Sequence, residues 1–164
     1  MTRPTRFSPD DTRSFRDALG QFATGVTVIT THTDAGPVGM TCNSFASVSL
    51  EPALVLWSVA KSASRHSVFA PAERFAINVL NAEQGSLART FAKDGQAFTP
   101  ENSYLSEGGA LMLRGAVSIF ECSKASVIDG GDHSIVLGKV EHVTLGAGAP
   151  LVFHHGKFGS FLGS

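Results

Sequence analysis

The sequence predicts a mainly β chain: an antiparallel barrel with two or three short flanking helices. At least six runs rich in β-branched and aromatic residues are divided by Gly, Pro and Asp turn signals. The helical stretches do not alternate strictly with those runs, as a doubly wound sheet would require. The glycine fingerprint of a dinucleotide-binding βαβ unit is absent, so a dinucleotide has to bind in some other way. At 164 residues the chain has the length of one domain, expected to span residues 1–164.

The first element reads as a helix. Ser8 is placed to cap it, Pro9 suits the first helical position, and Asp10 and Asp11 complement the positive helix end. Phe15, Ala18, Leu19 and Phe22 recur at helical spacing, which predicts an apolar stripe against the core. Val26-Thr27-Val28-Ile29-Thr30 then reads as a strand. Asp34 to Pro37 is a turn signal, and Val38 to Cys42 is expected to pair back as a hairpin. Glu51-Pro52 breaks the chain. Leu54 to Val59 is nearly continuous in apolar residues, the pattern of a strand buried on both faces.

Ser62 is expected to cap a short helix through Ser67 to Ala70, stopped by Pro71. Arg74 to Leu80 alternates as a strand. Glu83 to Ala92 reads as a helix with Leu87, Ala88 and Phe91 on one side, ended by Lys93-Asp94-Gly95. The Gly, Ser and Pro-rich stretch up to Gly109 reads as a surface loop. Gly115 to Ile128 and His133 to Leu145 are long β runs flanking Asp129-Gly130-Gly131-Asp132, a hairpin with a functional tip. Gly146 to Pro150 is a turn, and Leu151-Val152-Phe153 with Phe158 to Phe161 form a last short hairpin. There is no internal repeat.

The formal net charge is −1, from 13 basic and 14 acidic residues, which argues against an electrostatic nucleic-acid or membrane binder. No apolar run approaches the roughly 20 residues that cross a bilayer. The polar stretch Met1 to Thr12 lacks the apolar run of a signal peptide, so a cytoplasmic location is expected. Cys42 and Cys122 show no zinc-like spacing and read as free thiols of a reducing compartment.

Three stretches carry polar chemistry. Gly39 to Ser49 sets short donors and acceptors side by side; they suit a ribityl chain or a ring edge, and equally a polar strand end and turn. Lys61-Ser62-Ala63-Ser64-Arg65-His66 puts small hydroxyls and cations at a helix start, which is either an anion site or a solvated cap. In Gly130-Gly131-Asp132-His133 the histidine either meets a polar ligand or lies exposed. A metal site is not expected: His133 has no partner at ligand spacing, and His154-His155 should point to opposite faces of a strand. A serine hydrolase is disfavoured because there is no GxSxG turn.

Four segments, in order, resemble the short-chain flavin reductases that partner two-component monooxygenases, a branch of the FMN-binding split-barrel group. Phe22 to Thr30 is similar to the family's opening helix-strand signature. Thr41 to Phe45 through Ser47 to Pro52 resembles its flavin-cradling motif. Lys61 to Ser64 resembles its phosphate-side motif, and Gly131-Asp132-His133 its nicotinamide-side motif. The similarity runs over roughly residues 14 to 161, with Cys42 standing where a smaller residue such as alanine is expected.

The resemblance implies a split β-barrel of Greek-key type, a homodimer with flavin near the subunit interface, and hydride transfer from NADH or NADPH to FMN or FAD. Flavin N5 would do the chemistry, so no side chain is assigned as catalytic. Thr41, Asn43, Ser44, Ser47 and Ser58 would hold the ring edge and ribityl chain. Lys61, Ser62, Ser64 and Arg65 would take phosphate, and Phe91 and Lys93 would cover the outer cofactor. His133 would orient the nicotinamide. The reduced flavin would pass to a monooxygenase component; a reductase of cobalt corrinoids and a non-catalytic flavin carrier are the alternatives.

Overall fold

The computed structural model describes residues 5–161. Met1–Pro4 and Leu162–Ser164, counted within the expected domain and in part within the polar leader stretch, lie outside the described residues. In chain order the elements are α1 (Thr12–Leu19), β1 (Thr24–Gly25), β2 (Thr27–Thr33), β3 (Gly36–Cys42), β4 (Ala46–Leu50), β5 (Ala53–Ala60), α2 (His66–Phe69), β6 (Arg74–Val79), α3 (Gly85–Lys93), β7 (Ser103–Leu105), β8 (Leu111–Leu113), β9 (Ser118–Gly130), β10 (His133–Leu145), β11 (Leu151–His154) and β12 (Lys157–Ser160).

Seven strands form one antiparallel sheet in the order β3-β2-β6-β9-β10-β5-β4. The sheet curls until residues far apart in that order meet. Ile29 of β2, Val38 and Met40 of β3, Trp57 and Val59 of β5, Ile77 of β6 and Val136 of β10 share one core with Phe69 of α2. β3 and β4 are its two edges, so the wall is an open, split barrel, as expected. Trp57 is fully buried at the centre, edge-on to Phe69 and Phe75 at centroid distances of 5.6 and 5.8 Å. The expected hairpins β2–β3, β9–β10 and β11–β12 all form. α3 likewise buries Ala88 and Phe91 with Leu87 packed beside them.

Several expectations are corrected. Asp11, not Ser8, caps α1: its carboxylate accepts from the Ser14 N–H at 3.2 Å and the Ser14 hydroxyl at 2.7 Å. The α1 stripe does not face the core, for Phe15, Leu19 and Phe22 are 49%, 59% and 78% exposed. Helical spacing reports that a helix is two-faced, not what covers the apolar face.

β5 is not buried on both sides either. Val55, Trp57 and Val59 point inward, while Leu54, Leu56 and Ser58 are half-buried on the outer face. α2 has only four residues, begins at His66 and has no side-chain cap, so Ser62 caps nothing. The supposed loop before Gly109 contains β7, which pairs with β8. That hairpin is fastened by the buried Asn78, whose Oδ1 accepts from the Leu113 N–H at 2.8 Å and whose Nδ2 donates to Val28 O at 3.0 Å. β4 is a further strand with no sequence expectation, since Ser47 and Ser49 dilute its β pattern. Finally, His155 sits in a turn at φ 47°, so its ring meets that of His154 edge-on at 4.6 Å instead of pointing to the opposite face.

Candidate functional site

The predicted polar stretch at the end of β3 is largely engaged in the wall itself. The Thr41 hydroxyl donates to Ala88 O of α3 at 2.7 Å, and Asn43 Nδ2 donates to Thr24 Oγ1 at 3.2 Å. Ser44 Oγ accepts from the Ser58 N–H at 2.9 Å and donates to Ser58 O at 3.1 Å. Ser44 and Ser58, both expected on the ring and ribityl side, are therefore one unit that ties the β3–β4 connection to β5. Ser47 is exposed on β4. Cys42 packs beside Thr27, whose hydroxyl lies 3.2 Å from its Sγ. Burial pushes the Cys42 thiol above its ordinary value, which favours its protonated form.

β5 and β10 are paired so that Ala60 sits opposite His133. The loop leaving β5 consequently docks on the β9–β10 tip, and the Lys61 N–H donates to Asp132 O at 2.9 Å. The Lys61 ammonium lies 2.8 Å from Asp129 Oδ1, bridging 68 positions of sequence. Asp129 also accepts from the N–H of Gly131, which takes the left-handed φ of 80° that turns the tip. The Lys61 hydrogen bond, followed by the Gly131 N–H, holds the Asp129 carboxyl below its ordinary value. His133 Nδ1 is 2.7 Å from Asp132 Oδ1, and the hydrogen bond from this ring holds the Asp132 carboxyl low as well.

The structure thus brings the Lys61–Ser64 and Gly131–His133 stretches together, with exposed Ser62 and Ser64 beside an exposed tip. Lys93 is exposed in the last turn of α3. Two other predicted residues are placed differently. The Phe91 ring is wholly buried against Phe98, centroids 4.7 Å apart, and covers no ligand surface. Arg65 turns inward: its guanidinium donates to Gly39 O, Phe91 O and Ala92 O at 2.8, 2.7 and 2.8 Å. The sequence marks Asp129 only as part of the hairpin tip; its pairing with Lys61 has no local signal, because the partner is distant in the chain.

Size does not mark the site. A concavity of 590 Å³ lined by Thr31, Arg74, Glu121 and Cys122 contains none of the predicted residues. A second, of 530 Å³ between α1 and the β11–β12 turn, shares only Asn43. Cys122 borders the first; burial, then the charges of Glu141 and Glu121, push its thiol up to about 12. The described residues contain no cluster of three or more His, Cys, Asp and Glu that would hold a metal. The donor set around Ser44–Ser58 and Lys61–Ser64 consists of short hydroxyls, an amide and an ammonium. That chemistry fits a polyol ending in phosphate.

The flavin reductase-like domain family matches residues 19–162 of this chain. The FMN reductase (NADH) SmoA of Agrobacterium fabrum is 49% identical over 152 residues, 93% of this chain and 87% of its own. The flavin-dependent monooxygenase reductase subunit HsaB of Mycobacterium tuberculosis is 41% identical over 152 residues, 90% of this chain and 81% of its own. The NADH:FAD oxidoreductase of Streptomyces globisporus C-1027 superposes with a TM-score of 0.92 at 38% identity, covering 99% of both chains. Its complex with NAD and FAD fragments superposes with a TM-score of 0.90 at 40% identity, covering 97% of this chain and 98% of the other.

Proposed function

This chain belongs to the flavin reductase-like domain family, and from that premise we propose that it is an oxidoreductase passing hydride from NADH or NADPH to FMN or FAD. The observation that carries this reading is the docking of the Lys61 loop on the Asp129–His133 tip, which puts a phosphate-type donor set beside a nicotinamide-type histidine. When bound, the flavin supplies the hydride acceptor, its N5 atom. The chain's own residues bind and orient. Ser62, Ser64 and Lys61 would hold the flavin's phosphate, with Lys93 at the end of α3, which Arg65 ties to that loop. Ser58 and the Asn43 amide would line the ring and ribityl track, and the Ser44 and Thr41 hydroxyls would keep it rigid, while Ser47, paired with the inward Val55, lies on the opposite sheet face from Ser58. His133, steadied by Asp132, would orient the nicotinamide against the bound flavin, and such positioning can supply a large part of a rate enhancement.

The names of several relatives, as reductase components of flavin-dependent monooxygenases, support delivery of reduced flavin to a monooxygenase partner. We also propose that the chain acts as one domain and pairs as a homodimer. The outward sheet face carrying Ser58 also carries Leu56, Ile135 and Leu137, all half-buried side chains beside the 50%-exposed Ile128. A second copy covering that face would close the open side of the flavin track. No helix among the described residues is long and apolar enough to cross a membrane, and a cytoplasmic location is part of this reading.

The test is an oxidation assay of NADH and NADPH with FMN, FAD or no added flavin. Turnover that needs added flavin supports the reductase. Flavin binding without nicotinamide oxidation would make the protein a carrier, and no flavin binding at all would overturn the reading.

A further inference from the structure

Arg65 stands in the phosphate-side stretch, yet its charge points away from it. The arginine follows Ser64 and precedes α2, and its stem runs inward past Gly95, where an added Cβ would lie 3.0 Å from Arg65 Cδ. Three of its five N–H donors end on main-chain carbonyls of two other elements: Gly39 O of β3, and Phe91 O and Ala92 O of α3.

These carbonyls need a partner. Phe91 and Ala92 lie in the last turn of α3, whose carbonyls have no partner within the helix. α3 does not end on a left-handed glycine, because its C-cap, Asp94, is extended at φ −116° and ψ 112°. A cation at a helix C-terminus also meets the negative end of the dipole. Gly39 belongs to β3, a sheet edge, where carbonyls on the open side lack a ladder. Its N–H is taken by Gly95 O at 2.7 Å, just beyond α3.

We propose that Arg65 is the positioning residue of the cofactor cradle and not a phosphate ligand. Its guanidinium locks three segments into one frame: the Lys61–Ser64 loop, the end of α3 that presents Lys93, and β3, two residues before Thr41. Lysine cannot do this work, because a single ammonium does not span three carbonyls held in a planar fork. The proposal rests on the flavin site inferred above.

The experiment compares wild type, Arg65→Ala and Arg65→Lys in binding FMN and riboflavin, which lacks the phosphate, by titration of flavin fluorescence. Backbone hydrogen exchange over residues 90–95 is followed in the flavin-free proteins. Loss of the frame weakens riboflavin as well as FMN, FMN by roughly tenfold or more, because β3 before Thr41 shifts together with the phosphate-side loop. Arg65→Lys keeps the charge but does not restore affinity, and amides 90–95 exchange faster in both variants. A phosphate ligand behaves otherwise: Arg65→Ala would weaken FMN alone, and Arg65→Lys would rescue most of it. Either of those results, or wild-type affinities in both variants, overturns the proposal. If Arg65→Ala does not fold, Arg65→Lys alone decides, since the two readings predict opposite outcomes for it. If the wild type binds neither flavin, the functional reading fails, while exchange over residues 90–95 still tests the frame.

Discussion

Lys61 Nζ rests 2.8 Å from Asp129 Oδ1, with the two side chains 43% and 78% exposed. This pair joins the two stretches on which the proposed function depends, and it neutralises the one lysine of the phosphate-side stretch. An incoming phosphate must compete with Asp129 for that ammonium. Asp129→Asn should therefore strengthen FMN binding by roughly two- to fivefold, the scale of an exposed ion pair, with riboflavin unaffected. Titration of both flavins checks it; weaker FMN binding would mean that the pair itself shapes the site.

The same pair sets a pH dependence. The Asp129 carboxyl is held below its ordinary value of 3.8 in the folded chain. A depressed carboxylate contributes stability that is present above its unfolded pKa and lost as pH falls through the folded one. The small stability difference between wild type and Asp129→Asn should hold steady from pH 7 to about 5. It should shrink as the pH falls below about 4 and be lost only below the folded value, which lies under 3.8, as urea denaturation at stepped pH would show.

Replacing Ser62 and Ser64 together with alanine should lower FMN affinity at least tenfold. A hydrogen bond to a charged group is worth about 1.5–3 kcal/mol. Both serines are exposed, so the melting temperature should not move. Unchanged FMN affinity would shift the phosphate toward Lys93.

His133→Ala should reduce kcat/KM for the nicotinamide roughly 5- to 150-fold, the effect of losing a positioning contact of about 1–3 kcal/mol. Flavin affinity should stay near wild type. Stopped-flow reduction at several nicotinamide concentrations separates binding from transfer. A collapse of flavin binding would instead put His133 in the cradle.

Leu137→Asp places a charge on the outer face shared by Leu56 and Ser126. If that face joins two copies, the variant should run as a monomer in light scattering where the wild type runs as a dimer. It should also lose flavin affinity. A dimer that survives the substitution would move the interface to another surface.

Gly39→Ala should destabilise the fold, for the added Cβ would sit 2.7 Å from Phe91 Cδ1 and 2.8 Å from Cε1. Overpacking of this kind costs about 1–3 kcal/mol, or a melting temperature lower by roughly 2–12 °C. Phe91→Leu in the same chain should recover part of the loss. An unchanged melting temperature would show that the ring yields freely.

Local chemistry by itself determined most of the strands and the tip, though not β4, β7 or β8. The β-branched run at Val26 to Thr30, the two long runs flanking Asp129 to Asp132 and the helical spacing of Ala88 and Phe91 each specify an element from neighbouring residues alone, and each forms. Turn residues and periodicity act over a few positions, which is why they are legible in one dimension. The motifs likewise marked Ser44, Lys61 and His133. What those residues touch was decided only by the tertiary structure. Register across β5 and β10 put Ala60 opposite His133 and so delivered Lys61 to Asp129, a contact no local pattern encodes. The same closure drew Arg65 into the end of α3 and buried the Phe91 ring, while it left the α1 stripe uncovered. A sequence states that a side chain is charged or apolar; only the folded chain supplies the partner that uses it.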